Sequence, residues 1–219
     1  MNLQDFIKDK KLEIETLDCD FSKQNYGSIV FNTGYIGKEN TRACIIFDKN
    51  LDITFFDNAI SDISNDNISD IFSITKKNSS GVIDHFGKEI IPCIYDCIIL
   101  GCVYRKPDEK LPNWARKDKK VVLFNRQGKQ LTKFYDDIDT WNEIGDGFIF
   151  QDQEYSGIMD YSGKELFRLK WTSLKFLTSD ILTYRGNFEY GLININGKIL
   201  TEAKYEDVQK IDENIFLTV

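Results

Sequence analysis

One short pattern occurs four times in this chain of 219 residues and limits what it can fold into. Ser80 to Ile91 reads Ser-Gly-Val-Ile-Asp-His-Phe-Gly-Lys-Glu-Ile-Ile, and the same order of small, apolar and turn residues returns at Val121 to Leu131, Ser156 to Leu166 and Tyr190 to Leu200. The glycines before lysine, Gly87, Gly128, Gly163 and Gly197, stand 41, 35 and 34 positions apart. Self-similarity at this period marks one supersecondary unit stacked on copies of itself, because a single unit cannot bury its apolar face alone. A degenerate fifth copy spans Ala43 to Asn50. There Asn50 is expected in the glycine place, since asparagine tolerates left-handed backbone, and one turn residue is expected to be missing.

Each copy reads as a β-hairpin. Asp84, Asn125, Asp160 and Asn194 are placed to accept backbone N–H groups at the turn, and the glycines to supply positive φ. Seven or eight residues after each glycine comes an aromatic, Tyr95, Tyr135, Trp171 or Tyr205, with Phe56 in the first copy; three positions on stands Ile98, Ile138, Leu174 or Val208. This spacing predicts one buried anchor per unit. A third strand is expected at Asp70–Thr75, Ile98–Tyr104, Gly147–Gln151, Asp180–Arg185 and Asn214–Val219, with Leu12–Leu17 and Ser28–Thr33 ahead of the first copy. Leu3 to Lys11 is a candidate short helix.

The pattern resembles the WG repeat, in which a (W/Y)-G dipeptide precedes an apolar strand and a Gly-Lys turn. Tyr190-Gly191 matches the dipeptide, Tyr26-Gly27 echoes it, and Ser80-Gly81 and Ser156-Gly157 keep its glycine. The resemblance covers about four-fifths of the chain. It implies a β-rich repeat fold and carries over no catalytic residue. The expected architecture is an all-β repeat protein of about five three- to four-stranded units. It forms either a propeller-like ring whose N-terminal strands complete the last unit or a curved β stack capped by the N-terminus. Residues 1–27 form a cap or partial repeat, and 28–219 the repeat domain, with units near 43–78, 79–120, 121–154, 155–188 and 189–219.

With 42% hydrophobic residues the chain can build a core. Its net charge of −7 disfavours nucleic acid and favours a partner with a basic face. No apolar run reaches the length of a membrane helix, and Met1 to Lys11 lacks the pattern of a secretion signal, so a cytoplasmic location is expected. Five cysteines, an odd number without a compact framework, fit reduced thiols.

Chemistry-bearing residues are sparse. His85, the single histidine, sits in a hairpin turn, a poor setting for a general base. Cys93, Cys97 and Cys102 match no zinc-knuckle or redox spacing. The carboxylates at Asp57, Asp62, Asp66 and Asp70, at Asp136, Asp137 and Asp139, and at Glu206, Asp207, Asp212 and Glu213 read as a solvated rim. No P-loop, dinucleotide fingerprint or nucleophile elbow is present, so neither cofactor nor metal is expected. The expectation is a binding protein rather than an enzyme, with an immunity-type antagonist of an intracellular toxin as one form of it. The alternative is a hydrolase with carboxylates lining a ring axis.

The longest interruption of the repeat, Arg105 to Lys120, carries +4, leaving −11 on the rest of the chain. Long loops on rigid scaffolds commonly carry function. Trp114 is therefore the candidate anchor of a partner contact, with Arg116, Lys117, Lys119 and Lys120 steering and the acidic rim at Asp136, Asp137 and Asp139 as the second candidate surface. The plainer alternative folds Trp114 back onto the sheet.

Overall fold

The computed structural model describes residues 1–10, 14–18, 25–36, 39–65, 70–101, 111–140, 145–170, 172–212 and 215–218. Trp171, Cys19, Cys102, Asp66, Glu213 and residues 105–110 lie outside this set. Apart from helix α1 (Leu3–Lys10), the described residues form six consecutive antiparallel sheets. Sheet 1 holds β1 (Ile14–Asp18), β2 (Tyr26–Ile36), β3 (Glu39–Asp48) and β4 (Ile53–Asp57), and sheet 2 holds β5 (Ile60–Asn65), β6 (Ile71–Lys76), β7 (Ser79–Asp84) and β8 (Glu89–Tyr95). Sheet 3 has β9 (Cys97–Ile99), β10 (Asn113–Lys117) and β11 (Lys120–Phe124). Its fourth strand is reduced to isolated bridges, Phe124 to Gln130 and Val121 to Tyr135. Sheet 4 contains β12 (Asp137–Asp139), β13 (Phe148–Asp152), β14 (Tyr155–Met159) and β15 (Glu165–Lys170). Sheet 5 contains β16 (Leu174–Phe176), β17 (Ile181–Gly186), β18 (Glu189–Asn194) and β19 (Ile199–Tyr205), and sheet 6 pairs β20 (Val208–Asp212) with β21 (Ile215–Thr218).

Alternation along the strands sends successive side chains to opposite faces, and here both faces are apolar. Phe72, Ile74 and Ile83 of sheet 2 pack on Val30, Cys44 and Ile46 of sheet 1, while Ile71 and Val82 turn the other way to Ala115, Val122 and Phe124 of sheet 3. The same division places Val121 and Leu123 against Phe148, Phe150 and Met159, and Ile149 and Ile158 against Leu182 and Ile193. The core is thus a series of layers between sheets. The remaining face of sheet 1, with Ile29, Phe31, Ala43, Ile45 and Phe47, is covered by Leu3 and Phe6 of α1. The N-terminal strands build their own sheet instead of completing the last one, and α1 caps the outer face of that sheet.

The turn chemistry follows the sequence. Gly87 N–H donates to the Asp84 carbonyl at 2.9 Å, Asp84 N–H donates to the Lys88 carbonyl at 2.9 Å, and the Asp84 carboxylate accepts Phe86 and Lys88 N–H, both at 2.9 Å. Asn125, Asp160 and Asn194 repeat the arrangement, and the four turn glycines have φ between 79° and 83°. In the first copy the positive φ, 65°, belongs to Leu51 and not to Asn50. Asp48 N–H reaches the Asp52 carbonyl at 3.0 Å, the spacing of the other turns, so no residue is missing. Leu51 tolerates this backbone because its side chain packs with the α1 layer and its carbonyl accepts Leu3 N–H at 2.7 Å.

Phe56 is likewise one position away from the anchor place. Asp57 stands opposite Cys44 as Tyr95 stands opposite Ser80, and a shift of one residue turns Phe56 to the other face. There it is 47% exposed and touches Phe6 and Phe31. Tyr95 and Tyr135 are buried as anchors. The glycine of the Tyr190-Gly191 dipeptide answers to close approach: Tyr190 pairs with Tyr205 and Leu192 with Thr201, so three residues of β19 face Gly191, and a Cβ there would lie 2.7 Å from the Thr201 carbonyl.

The sheets run half a unit out of phase with the sequence copies. The strand expected to close each unit is the second strand of the next sheet, as β6, β13, β17 and β21 show. Sheet 3 departs further. Its second strand is not Ile98–Tyr104 but β10, inside the segment expected to be a loop. Asn-Trp-Ala-Arg-Lys alternates like a strand, with Trp114 facing sheet 4 and Ala115 facing sheet 2. At 6% exposure Trp114 belongs to the core and is not an exposed loop anchor.

Candidate functional site

Where consecutive sheets meet, the first strand of each lies against its predecessor: β5 against β2 and β3, β9 against β7, β12 against β11. These first strands are sheet edges. Between sheets 3 and 4 the edges leave a cleft of about 370 Å³. β9 contributes Cys97 and Ile99, β10 contributes Trp114 and Arg116, and β12 contributes Asp137, Ile138 and Asp139. Pairing explains the β9–β10 wall, since Trp114 stands opposite Ile99 and Arg116 opposite Cys97. Ile138, 2% exposed, anchors β12 in the core between the two carboxylates.

The Arg116 guanidinium carbon sits 4.9 Å from the centre of the Trp114 ring, a cation–π contact. The Trp114 Nε1–H is buried and meets no acceptor among the described residues. Of the eight residues singled out from sequence, Trp114, Arg116, Asp137 and Asp139 therefore come together. Of the other four, Lys117, Lys119 and Lys120 belong to the hairpin between β10 and β11, and Asp136 lies just before β12. Lys117 pairs with Lys120, and Asp118 and Lys119 form the turn with φ of 51° and 64°. The Asp136 carboxylate accepts the Lys120 Nζ at 2.5 Å and the Gln153 N–H at 2.5 Å. The Lys120 bond, reinforced by Gln153, holds Asp136 below the usual carboxylate range. Asp96 has the same position in its unit and accepts the Asp118 N–H at 3.0 Å. The acid that follows the anchor aromatic thus ties a hairpin tip.

Sequence reasoning missed Cys97, Ile99 and Ile138 as cleft walls; their position at sheet edges was the available signal. It also missed two further clusters. Tyr135 Oη donates to Glu165 at 2.5 Å, and Arg168 Nε donates to the same carboxylate at 2.9 Å. Burial opposes ionisation of Glu165, yet the Arg168 and Tyr135 hydrogen bonds outweigh it and hold its pKa below the ordinary carboxylate value. At the tip of the β17–β18 hairpin, Phe188 is 85% exposed with φ of 72°, and Arg185 lies over both its ring and that of Tyr190. His85 stacks on Tyr26 with ring centres 4.0 Å apart. Burial, with Asp57 nearby, pushes the Cys44 thiol up to about 12. Among the described residues no group of three His, Cys, Asp or Glu side chains is arranged to hold a metal, and no helix is long and apolar enough to cross a membrane.

Short antiparallel sheets that recur with the period of the sequence repeat, each layered on the next, define an all-β repeat protein of propeller-like units. The model of the WG containing repeat matches residues 81–98 and 190–218. These two segments are WG-type repeats by that match, in keeping with the repeat read from the sequence. No curated protein matches it in sequence. Similar solved structures include a eukaryotic initiation factor, at 8% identity over 90% of this chain and 56% of that one, with a TM-score of 0.47. The WD40 domain of Neurospora crassa Pan2 is similar at 9% identity, over 91% of this chain and 69% of that one, with a TM-score of 0.32. The β-propeller domain of the Trilobed protease from Pyrococcus furiosus is similar at 10% identity, over 91% and 59%, with a TM-score of 0.28. The chain spans little more than half of the first of these proteins.

Proposed function

We propose that this WG-repeat protein works in the cytoplasm by binding another protein, without turnover, and that the cleft between sheets 3 and 4 is the contact. The observation that carries the reading is the convergence of Trp114, Arg116, Asp137 and Asp139, drawn from two sheets, around a cavity with a buried donor that lacks a partner. Buried aromatics and arginine at a pocket centre are the residue types on which interfaces depend. The net charge of −7 favours and speeds association with a basic partner. An immunity-type antagonist that occupies a basic intracellular toxin is the specific form of this reading. A photo-crosslinking amino acid placed at Ile99 tests it in cells of the source organism. One discrete basic protein, captured from Ile99 and not from Phe86, is the expected result. Hydrolytic turnover by the purified chain that disappears in Asp137→Asn would overturn it in favour of the carboxylate-dependent hydrolase.

A further inference from the structure

The four Gly-Lys turns share one hydrogen-bond frame but differ in the residue before glycine, which is Phe86, Gln127, Ser162 or Asn196. Only the last turn places asparagine before glycine, and no other Asn-Gly pair occurs in the chain. Such a pair is chemically labile, because glycine has no side chain to shield its nitrogen from the amide carbon of the asparagine before it. In the reaction the Gly197 nitrogen bonds to Asn196 Cγ, the Cγ–Nδ2 bond breaks, and ammonia leaves with the proton that Gly197 gives up. Water then opens the five-membered ring at one of its two carbonyls. One opening leaves aspartate. The other leaves isoaspartate, in which the backbone runs through the side-chain methylene.

The Asn196 side chain is exposed to water, but the nitrogen it must meet is tied. Gly197 N–H donates to the Asn194 carbonyl at 2.9 Å, and Asn194 Oδ1 accepts Asn196 N–H at 3.1 Å and Lys198 N–H at 2.8 Å. With φ of 82° at Gly197, these bonds fix the backbone on both sides of the reacting pair. Ring closure therefore waits on opening of the turn between β18 and β19, and its rate in the folded chain is the open-chain rate scaled by the fraction of time the turn is open. The two products differ in what they permit afterwards. Aspartate keeps the backbone N–H groups where the frame needs them. Isoaspartate adds one backbone atom between residue 196 and Gly197, so Asn194 can no longer hold both Gly197 and Lys198 in the present geometry. The turn also lies against sheet 4, since a Cβ on Gly197 would come within 2.9 Å of Phe167 Cβ, and Phe167 belongs to the layer between sheets 4 and 5. We propose that Asn196 is a site of self-modification that records the opening of sheet 5: the closed turn holds deamidation back, an open turn releases it, and the isoaspartyl product loosens the joint to sheet 4.

The chain supplies two internal controls. Gln127-Gly128 has the same frame but must close a six-membered ring, and Asp146-Gly147 offers a carboxyl group, a poorer acceptor of the attack than an amide. The test incubates the full chain at pH 8, folded and in urea above its midpoint, and follows each position by peptide mapping and by labelling with an isoaspartyl methyltransferase. Asn196 should convert first in both samples, and at least about tenfold faster in urea than in the folded chain. Gly197→Ala, read in urea where folding plays no part, should slow the conversion at least about fivefold. After refolding, the deamidated fraction isolated by ion exchange should melt in two steps, one with the parent and one below it. Asn196→Asp, which has the new charge on an ordinary backbone, should melt with the parent. Equal rates in the folded and unfolded chain would overturn the control by the turn. Faster conversion at another position in urea, or no slowing in Gly197→Ala, would overturn the site. A deamidated fraction that contains isoaspartate and melts wholly with the parent would overturn the loosening of the joint.

Discussion

Trp114→Ala separates a core tryptophan from an interface anchor. At 6% exposure the side chain packs with Leu123, Tyr135, Phe148 and Phe150 between sheets 3 and 4. A buried aromatic removes about 150–250 Å² from water, which at about 25 cal/mol per Å² corresponds to about 4–6 kcal/mol. Truncations of this kind cost about 3–5 kcal/mol in practice. None of this is a lost hydrogen bond, because Nε1 has no partner, so Trp114→Phe should lose much less. Repeat arrays need not unfold in one step, so the quantity to read is the urea midpoint by far-ultraviolet circular dichroism. With a slope of about 2–3 kcal/mol per molar, Trp114→Ala should move the midpoint down by about 1–2 M. Arg116→Ala, which forfeits a surface cation–π contact of about 0.5–1 kcal/mol, should move it by less than about 0.5 M. A midpoint for Trp114→Ala within about 0.3 M of the parent would show that the tryptophan does not hold these sheets together, and the layer described between them would be wrong.

Gly128→Ala should be strongly destabilising, by more than about 2 kcal/mol, because it adds a Cβ at φ 79° that would lie 2.1 Å from the Ile90 carbonyl of the preceding sheet. Gly186→Ala, where the nearest atom is Ala203 Cβ at 3.5 Å, is the control and should melt near the parent. Burial opposes ionisation of Asp160, but hydrogen bonds from Ser162 and Lys164 outweigh it and lower the folded-state pKa from 3.8. Its contribution is therefore present above the unfolded value and is lost as pH falls through the folded one. Asp160→Asn, the residue type found at Asn125 and Asn194, should keep the turn while flattening the loss of stability below about pH 4, checked by melts from pH 7 to pH 2. Cys44, fully buried with its thiol pushed up to about 12, should resist a thiol reagent at pH 8 in the folded protein, whereas Cys97, half-buried at the cleft, should be labelled well before Cys44 in peptide mapping.

The hairpins were legible in the sequence because their chemistry is local: an acceptor side chain at Asp84 and a permissive backbone at Gly87 lie within one turn. Leu51 was not, because what secures its positive φ lies outside the turn, in the packing of its side chain with the α1 layer and the Leu3 N–H on its carbonyl. The phase of the sheets was hidden for a different reason. β9, β12 and β16 are three residues each, too short for alternation to show, and β10 stands between prolines and lysines that read as a loop. Four of the seven cleft residues were nonetheless named, since Trp114, Arg116, Asp137 and Asp139 were chosen for residue type. Their assembly was not readable, because it depends on two sheet edges that are neighbours in space and not in the repeat pattern.

The joint between sheets 3 and 4 bears on how the cleft can move. Tyr135 is bridged to Val121 on one side, Asp137 is paired with Gln151 on the other, and Asp136 alone connects them. Asp136 is itself fastened through Lys120 and Gln153. The two sheets are bound like facing pages to one spine, so they can pivot by small angles but cannot part along it without tearing a ladder. The width of the cleft is accordingly set before any ligand arrives. Occupancy would then require little rearrangement of the backbone, and affinity at this place would be governed by the fit of the incoming group more than by the work of opening.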